Sequence, residues 1–260
     1  MEQIIKTKLY HSNYCLIPIQ VCDFCLRNRL SRALQIYLLL KAKSRGVLKI
    51  NDELLQEIAF ELKLKTTRTI TNNLKKLIKL NFIGLNKRHK IYHIRGFNTV
   101  CSYFKFNLKG RVVFDMNEIR KLKAFLIASI LSYLIFKNVY RRRLKEFNSG
   151  NSTQLNRRPI DYEPVANSLF ANYLGFSCAT AFKYKRLAAR EKYIKIRPNI
   201  QKLKWSKNNK KRYIQAFPQN AMKLRVINNM LALCEADEIL SCVKFKRVNK
   251  KKGKKVNKIN

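Results

Sequence analysis

Arg68, Asn72, Lys75, Lys76 and Lys79 are spaced so that a helix, turning about 100° per residue, would carry all five on one side. Thr67 and Thr69 stand at the head of that row, and Ile70, Leu74, Leu77 and Ile78 fall on the other side. The polar set consists of cations and neutral hydrogen-bonding groups. It has no carboxylate, and the chain has no acidic residue anywhere between Glu61 and Asp115. The chemistry open to such a face is capture of a polyanion by fixed donors, with no like charge to repel it.

A second set repeats this character. Thr180, Lys183, Arg186 and Arg190 take the outward side of another helical segment, residues 177–190, and no acid lies between Glu191 and Glu235. Lys87, Arg88 and Lys90 crowd a short polar stretch between two apolar tetrads, and Lys207, Lys210 and Lys211 lie between two further strand-like segments. If DNA is the polyanion, Arg68 and Asn72 are the base readers, because Arg can grip guanine and Asn adenine in bidentate fashion. Thr67, Thr69, Lys75, Lys76 and Lys79 would then touch phosphates, and the tip cations the backbone or the minor groove.

Other chemistries are poorly supplied. Cys22-x-x-Cys25, near Cys15 and His11, and His89-x3-His93 invite a zinc reading, but the pairs are much further apart than in a compact finger. Cys22, Cys25 and Leu26 continue an apolar helix face, so core cysteines are the expectation and no metal is expected. Metal-dependent nucleases need paired carboxylates, and both basic windows lack them. Asp52, Glu53, Glu57 and Glu61 suit a helix start and an exposed face. No phosphate-binding glycine loop or nucleophile elbow is present. Tyr173, Tyr184 and Tyr193 lack the Arg/His company of a recombinase nucleophile. No catalytic residue and no cofactor are expected.

The composition agrees. The chain has 260 residues, with 56 Lys and Arg against 15 Asp and Glu, a formal charge of +41, and is 47% hydrophobic. That is enough apolar content for two small cores, and the charge points to nucleic acid ahead of an anionic membrane or an acidic protein. No apolar run at the N-terminus resembles a signal peptide. The longest apolar run, residues 124–136, is shorter than the ~20 residues of a membrane span, so no membrane partner is expected. Seven cysteines without a secretory context suggest a reducing, cytoplasmic setting.

Several elements must hold these side chains in place. Leu30, Ala33, Leu34, Tyr37, Leu38 and Leu40 predict a helix over residues 30–43, and Gly46 its end. Residues 47–50 read as a brief strand. Asn51 then caps a helix burying Leu54, Leu55, Ile58, Ala59 and Leu62. After a turn at residues 64–66 comes the basic helix, stopped at Asn81 in a left-handed conformation. Strands at 82–85 and 91–94 form a hairpin around the basic tip.

The order looks repeated. Residues 116–147 read as mostly helical, 148–164 as a mobile loop, and 165–173 as a short helix. A turn at 174–176, the helix at 177–190, and strands at 193–196 and 212–217 follow. Residues 62–83 and 174–194 share leucine, one residue, apolar, polar turn, helix, aromatic-Ile. A closing helix is expected at 220–233 and a structureless basic tail at 236–260.

Thr67-Arg68-Thr69-Ile70, with Leu74, Leu77 and the Asn81-Phe82-Ile83 exit, resembles the third helix of winged helix-turn-helix DNA-binding proteins, with Asn81 in place of the usual glycine. The likeness covers residues 30–95. It implies a mainly α chain with small β-hairpin wings (α+β), two winged helix-turn-helix domains in tandem, at 1–114 and 115–235. In that scaffold the third helix enters the major groove. Tandem winged helices without an enzymatic domain resemble plasmid and phage replication initiators in architecture. That implies a cytoplasmic, nucleoid-associated protein of a bacterial host on double-stranded DNA, with a homodimer through the 122–136 helix and host replication proteins as further partners. A transcriptional regulator, or a coat that packages nucleic acid without sequence preference, are the alternatives.

Overall fold

The computed structural model describes residues 13–44, 46–106, 110–150 and 162–246. The chain is a mixed α+β protein whose described strands form four three-stranded, antiparallel sheets. The backbone divides into two compact units: residues 1–123 with 244–260, and residues 124–243.

The first unit contains β1 (Tyr14–Pro18), α1 (Ile19–Arg27), α2 (Ser31–Lys43), β2 (Val47–Lys49), α3 (Asp52–Glu61), α4 (Arg68–Lys79), β3 (Ile83–Asn86), β4 (Ile91–Ile94), α5 (Phe97–Tyr103) and β5 (Arg111–Asp115). A 3-10 turn, Met116–Lys121, follows. One sheet runs β2-β4-β3, so the last strand of the hairpin lies in the middle. Helix α2 is the centre of the core, with Ala33 through Leu40 all buried. Its Tyr37 is edge-on to Phe82 and tilted against Phe97, and its hydroxyl donates to the backbone oxygen of Arg95. Asn51 caps α3 by accepting from the Leu54 amide at 3.0 Å, as its side chain suggested.

The second unit contains α6 (Leu122–Asn148, from Ala124 onward), β6 (Glu163–Pro164), α7 (Asn167–Leu174), α8 (Cys178–Arg190), β7 (Ile194–Arg197), β8 (Ile200–Ser206), α9 (Lys210–Ala216), β9 (Leu224–Ile227), β10 (Met230–Cys234) and β11 (Glu238–Ser241). The sheet beside α7 and α8 runs β6-β11-β7. Here too the latest strand in sequence sits in the middle. The last strand, β12 (Phe245–Lys246), returns to β5 and so belongs to the first unit.

The two units share some backbone detail. Lys63 and Gly175 both adopt positive φ, 50° and 72°, the first between α3 and α4 and the second between α7 and α8. Asn81 and Lys192 do so again, at 60° and 63°, just after α4 and α8. Phe82 then donates to Leu77 O at 2.9 Å, and Tyr193 to Ala188 O at 3.0 Å. Asn81 tolerates this conformation and Gly175 has no Cβ to oppose it.

Several expectations need correction. Residues 212–217 do not form a strand: Arg212 to Ala216 lie in α9, and the partner of β7 is β11, with Leu240 opposite Lys195 and Ser241 opposite Ile194. The closing helix at 220–233 is instead the β9-β10 hairpin, turning at Asn228 and Asn229, both with positive φ as a two-residue hairpin turn needs. The strands β8-β10-β9 and helix α9 are thus inserted between β7 and β11. They enclose their own core of Tyr213, Leu224 and Leu231, with Leu203, Trp205, Ile214 and Leu233 around it.

The loop expected at 148–164 contains β6, whose Pro164 and Glu163 pair with Glu238 and Ile239. Residues 151–161 lie outside the described residues. The tail expected from residue 236 is ordered through β11 and β12, because Ile239 is fully buried and Phe245 pairs with Val112; residues 247–260 lie outside the described ones. The helix offered as a dimer face is occupied within the chain. Leu122, Leu126, Ile127, Ala128, Ile130 and Leu131 have no exposed surface, and Phe136 is the first of the run to emerge. The helical stretch Met116–Asn148 is also longer than the apolar run alone, long and apolar enough to cross a membrane, with 72% of its most apolar window buried inside the chain.

Candidate nucleic-acid interface

Helix α4 lays Ile70, Leu74 and Leu77 into the core of the first unit and leaves Arg68, Thr69, Asn72, Lys75, Lys76 and Lys79 exposed. The side chains of Arg68 and Asn72 make no hydrogen bond or ion pair with another described residue, so their donors are free for an incoming ligand. Nearby Asn73 behaves differently: it donates to Thr69 O at 2.7 Å and folds back on its own helix. Thr67 is half-buried, and its carbonyl accepts from the Ile70 and Thr71 amides at 2.9 and 3.0 Å. That fixes the first turn of α4. Exposed Thr71, which the periodicity did not single out, flanks the row on its other side.

The β3-β4 hairpin ends in Lys87, Arg88 and Lys90, all exposed. Asn86 Oδ1 accepts from the His89 amide at 3.3 Å, and Lys90 has a φ of 52°, so the tip is a tight turn on a paired stem. Row and tip belong to the same unit.

In the second unit the predicted set is less free. Ser177 caps α8 through the Thr180 amide at 3.2 Å, and its hydroxyl also meets the Thr180 hydroxyl at 3.0 Å. Thr180 is therefore held in the cap and half-buried. The guanidinium of Arg186 lies 5.2 Å from the ring centre of exposed Phe182, a cation-π stack. Arg190 pairs with Glu191 at 3.3 Å, a surface contact worth little. Lys183 is exposed and uncommitted. Lys207 falls in a 3-10 turn, Lys207–Asn209, and Lys210 and Lys211 in α9; all three are exposed on the inserted sheet-and-helix module. Sequence reasoning missed Lys202, Lys204 and Arg212 on the same module, also exposed. The signal was available in the acid-free window, but the wrong strand pairing hid which element it covered.

Lys185 lies on the inner side of α8 with Ala181 and Ala188. It is 1% exposed and donates to Val165 O, tying α8 to the chain entering α7. Burial lowers its pKa to about 8, with nearby Asp237 opposing. The folded form therefore gives up this proton at about pH 8, whereas an unfolded lysine holds it to about 10.5. Stability gained through this group rises as pH climbs between those values. The difference in unfolding free energy between wild type and Lys185→Met should grow by about 2 kcal/mol in favour of wild type from pH 8 to 10. Denaturant titrations at both pH values check this; a constant difference would refute the assignment.

The cysteine reading concerns Cys22 and Cys25, both buried, with their thiols pushed well up by that burial. A protonated thiol is a poor metal ligand. His89 and His93 are exposed, while His11 lies outside the described residues. Among the described residues no three His, Cys, Asp or Glu side chains converge as a metal site would require. Comparison with family models, with curated proteins and with solved structures returns no match.

Proposed function

We propose that this chain binds double-stranded DNA through two winged helix-turn-helix units and acts as an origin-binding replication initiator of a plasmid, phage or other mobile element. One observation carries the reading: in each unit a helix with a cationic outer face, α4 or α8, immediately precedes the second strand of a sheet whose order is first, third, second strand. In such a scaffold that helix enters the major groove and the hairpin reaches the flanking backbone. Arg68 and Asn72 read base edges from α4. Lys75, Lys76 and Lys79, with Lys87, Arg88 and Lys90, neutralise phosphates.

The second unit grips more than it reads. Its helix contributes Lys183, with Arg186 stacked and Thr180 held in a cap, and its inserted module adds Lys207, Lys210 and Lys211. Free bidentate side chains on α4 favour a sequence reader over a coat. With some six to ten phosphates neutralised, affinity is expected to fall about 10³- to 10⁵-fold between 50 and 200 mM salt. A salt titration by fluorescence anisotropy checks it, and a flat curve would refute the proposal. Footprints over direct repeats support an initiator; a single inverted repeat in a promoter points to a transcriptional regulator.

A further inference from the structure

Helix α6 outruns the core that holds it. Beyond Phe136 Val139 is still buried, but four large apolar side chains are exposed: Phe136 at 42%, Tyr140 at 42%, Leu144 at 37% and Phe147 at 47%. With half-buried Tyr133 before them, they follow one another in steps of three, four, four and three residues. That mean step of 3.5 suits a coiled-coil-like seam. At about 100° per residue Phe136, Phe147, Tyr140 and Leu144 share an arc of about 80°, narrower than the apolar side of an interfacial helix. The rings of Phe136 and Tyr140 are stacked along it, 6.4 Å apart.

Charge decides what covers this seam. Lys137 and Arg141 border it on one side and Arg143 on the other; Glu146, the one acid of the segment, lies round the helix from it. A second copy docked by the same seam would set these cations against their own kind, and like charges beside a coiled-coil seam select against pairing. We infer that the seam formed by Tyr133, Phe136, Tyr140, Leu144 and Phe147 docks an amphipathic helix of a partner protein whose own apolar seam is flanked by Asp or Glu. The apolar residues supply the buried area and the flanking cations the choice of partner. The inference does not depend on DNA binding, since none of these residues belongs to the proposed DNA faces.

The test uses the full chain and a labelled three-heptad peptide with leucines along its seam and glutamates beside it, whose like charges keep it from pairing with itself. Anisotropy is read at about 150 mM salt, where charges more than a Debye length apart are screened but those meeting across a seam still act. Stoichiometric binding tighter than about 100 µM is expected, at least about tenfold tighter than for a scrambled peptide of the same composition. Tyr140→Ser with Leu144→Ser should abolish that preference. Both side chains are substantially exposed, so the variant should keep its Tm. Lys137→Glu with Arg141→Glu and Arg143→Glu should reverse the choice, favouring a lysine-flanked peptide. Equal binding of the scrambled peptide overturns the inference. So does a concentration-dependent dimer that Leu144→Ser abolishes, or seam-dependent binding to anionic vesicles with none to the peptide.

Discussion

Replacing both Arg68 and Asn72 with alanine is expected to remove sequence preference while leaving general DNA affinity nearly intact. Each bidentate pair with a base is worth about 1–3 kcal/mol of discrimination. Together they represent a loss of about 30-fold to 10⁴-fold for the preferred duplex, identified by selection from random sequences. Both side chains are exposed and unengaged with other described residues, so the double variant should fold with an unchanged Tm. Lys75→Ala with Lys76→Ala makes the contrast, weakening preferred and random duplexes alike and flattening the salt dependence. Competition binding with the two duplexes reads both outcomes. If the Arg68/Asn72 variant loses preferred and random DNA equally, those residues are phosphate contacts and α4 does not read bases.

The second large effect lies in the core of the first unit. Tyr37 has no exposed surface and sits at the middle of α2 between Phe82, which begins the hairpin, and Phe97, which begins α5. Tyr37→Ala should cost about 3–5 kcal/mol, the range for truncating a large buried side chain. In a unit of this size that lowers Tm by more than about 10 °C. Tyr37→Phe keeps the packing and removes only the donor to the Arg95 carbonyl. A buried acceptor left unpaired costs about 1–3 kcal/mol, so the conservative variant should fall clearly short of the truncation. Denaturant unfolding of both variants measures the gap. If both cost the same, the hydroxyl rather than the ring holds the hairpin to α2, and the packing account fails.

The buried acids add a pH limit in the other direction. Burial raises the Cys25 thiol and the Tyr37 phenol well above their ordinary values. Above about pH 9 the unfolded chain loses these protons while the folded chain keeps them, so their contribution falls as pH rises. That opposes the trend of Lys185. Comparing wild type with Lys185→Met at each pH separates the two, because the acids are common to both.

The sequence alone determined the local elements of the first unit. A helical period of leucines gave α2, Asn51 the cap of α3, a one-sided cationic row α4, and Asn81 the left-handed stop. Each of these is settled within about one turn of chain, where side-chain period and capping chemistry outweigh everything distant. The like turns and helix exits of the two units are local in the same way. Tertiary structure decided the rest. Residues 193–196 could not indicate whether their partner was at 212–217 or at 238–241, because strand pairing is a contact between remote segments and several apolar tetrads compete for it. The winner left room for a module with its own core. Likewise the period of residues 122–147 showed an apolar helix but not where burial ends. Only the packed neighbours fix the emergence at Phe136, and with it which part of that helix remains open to a partner.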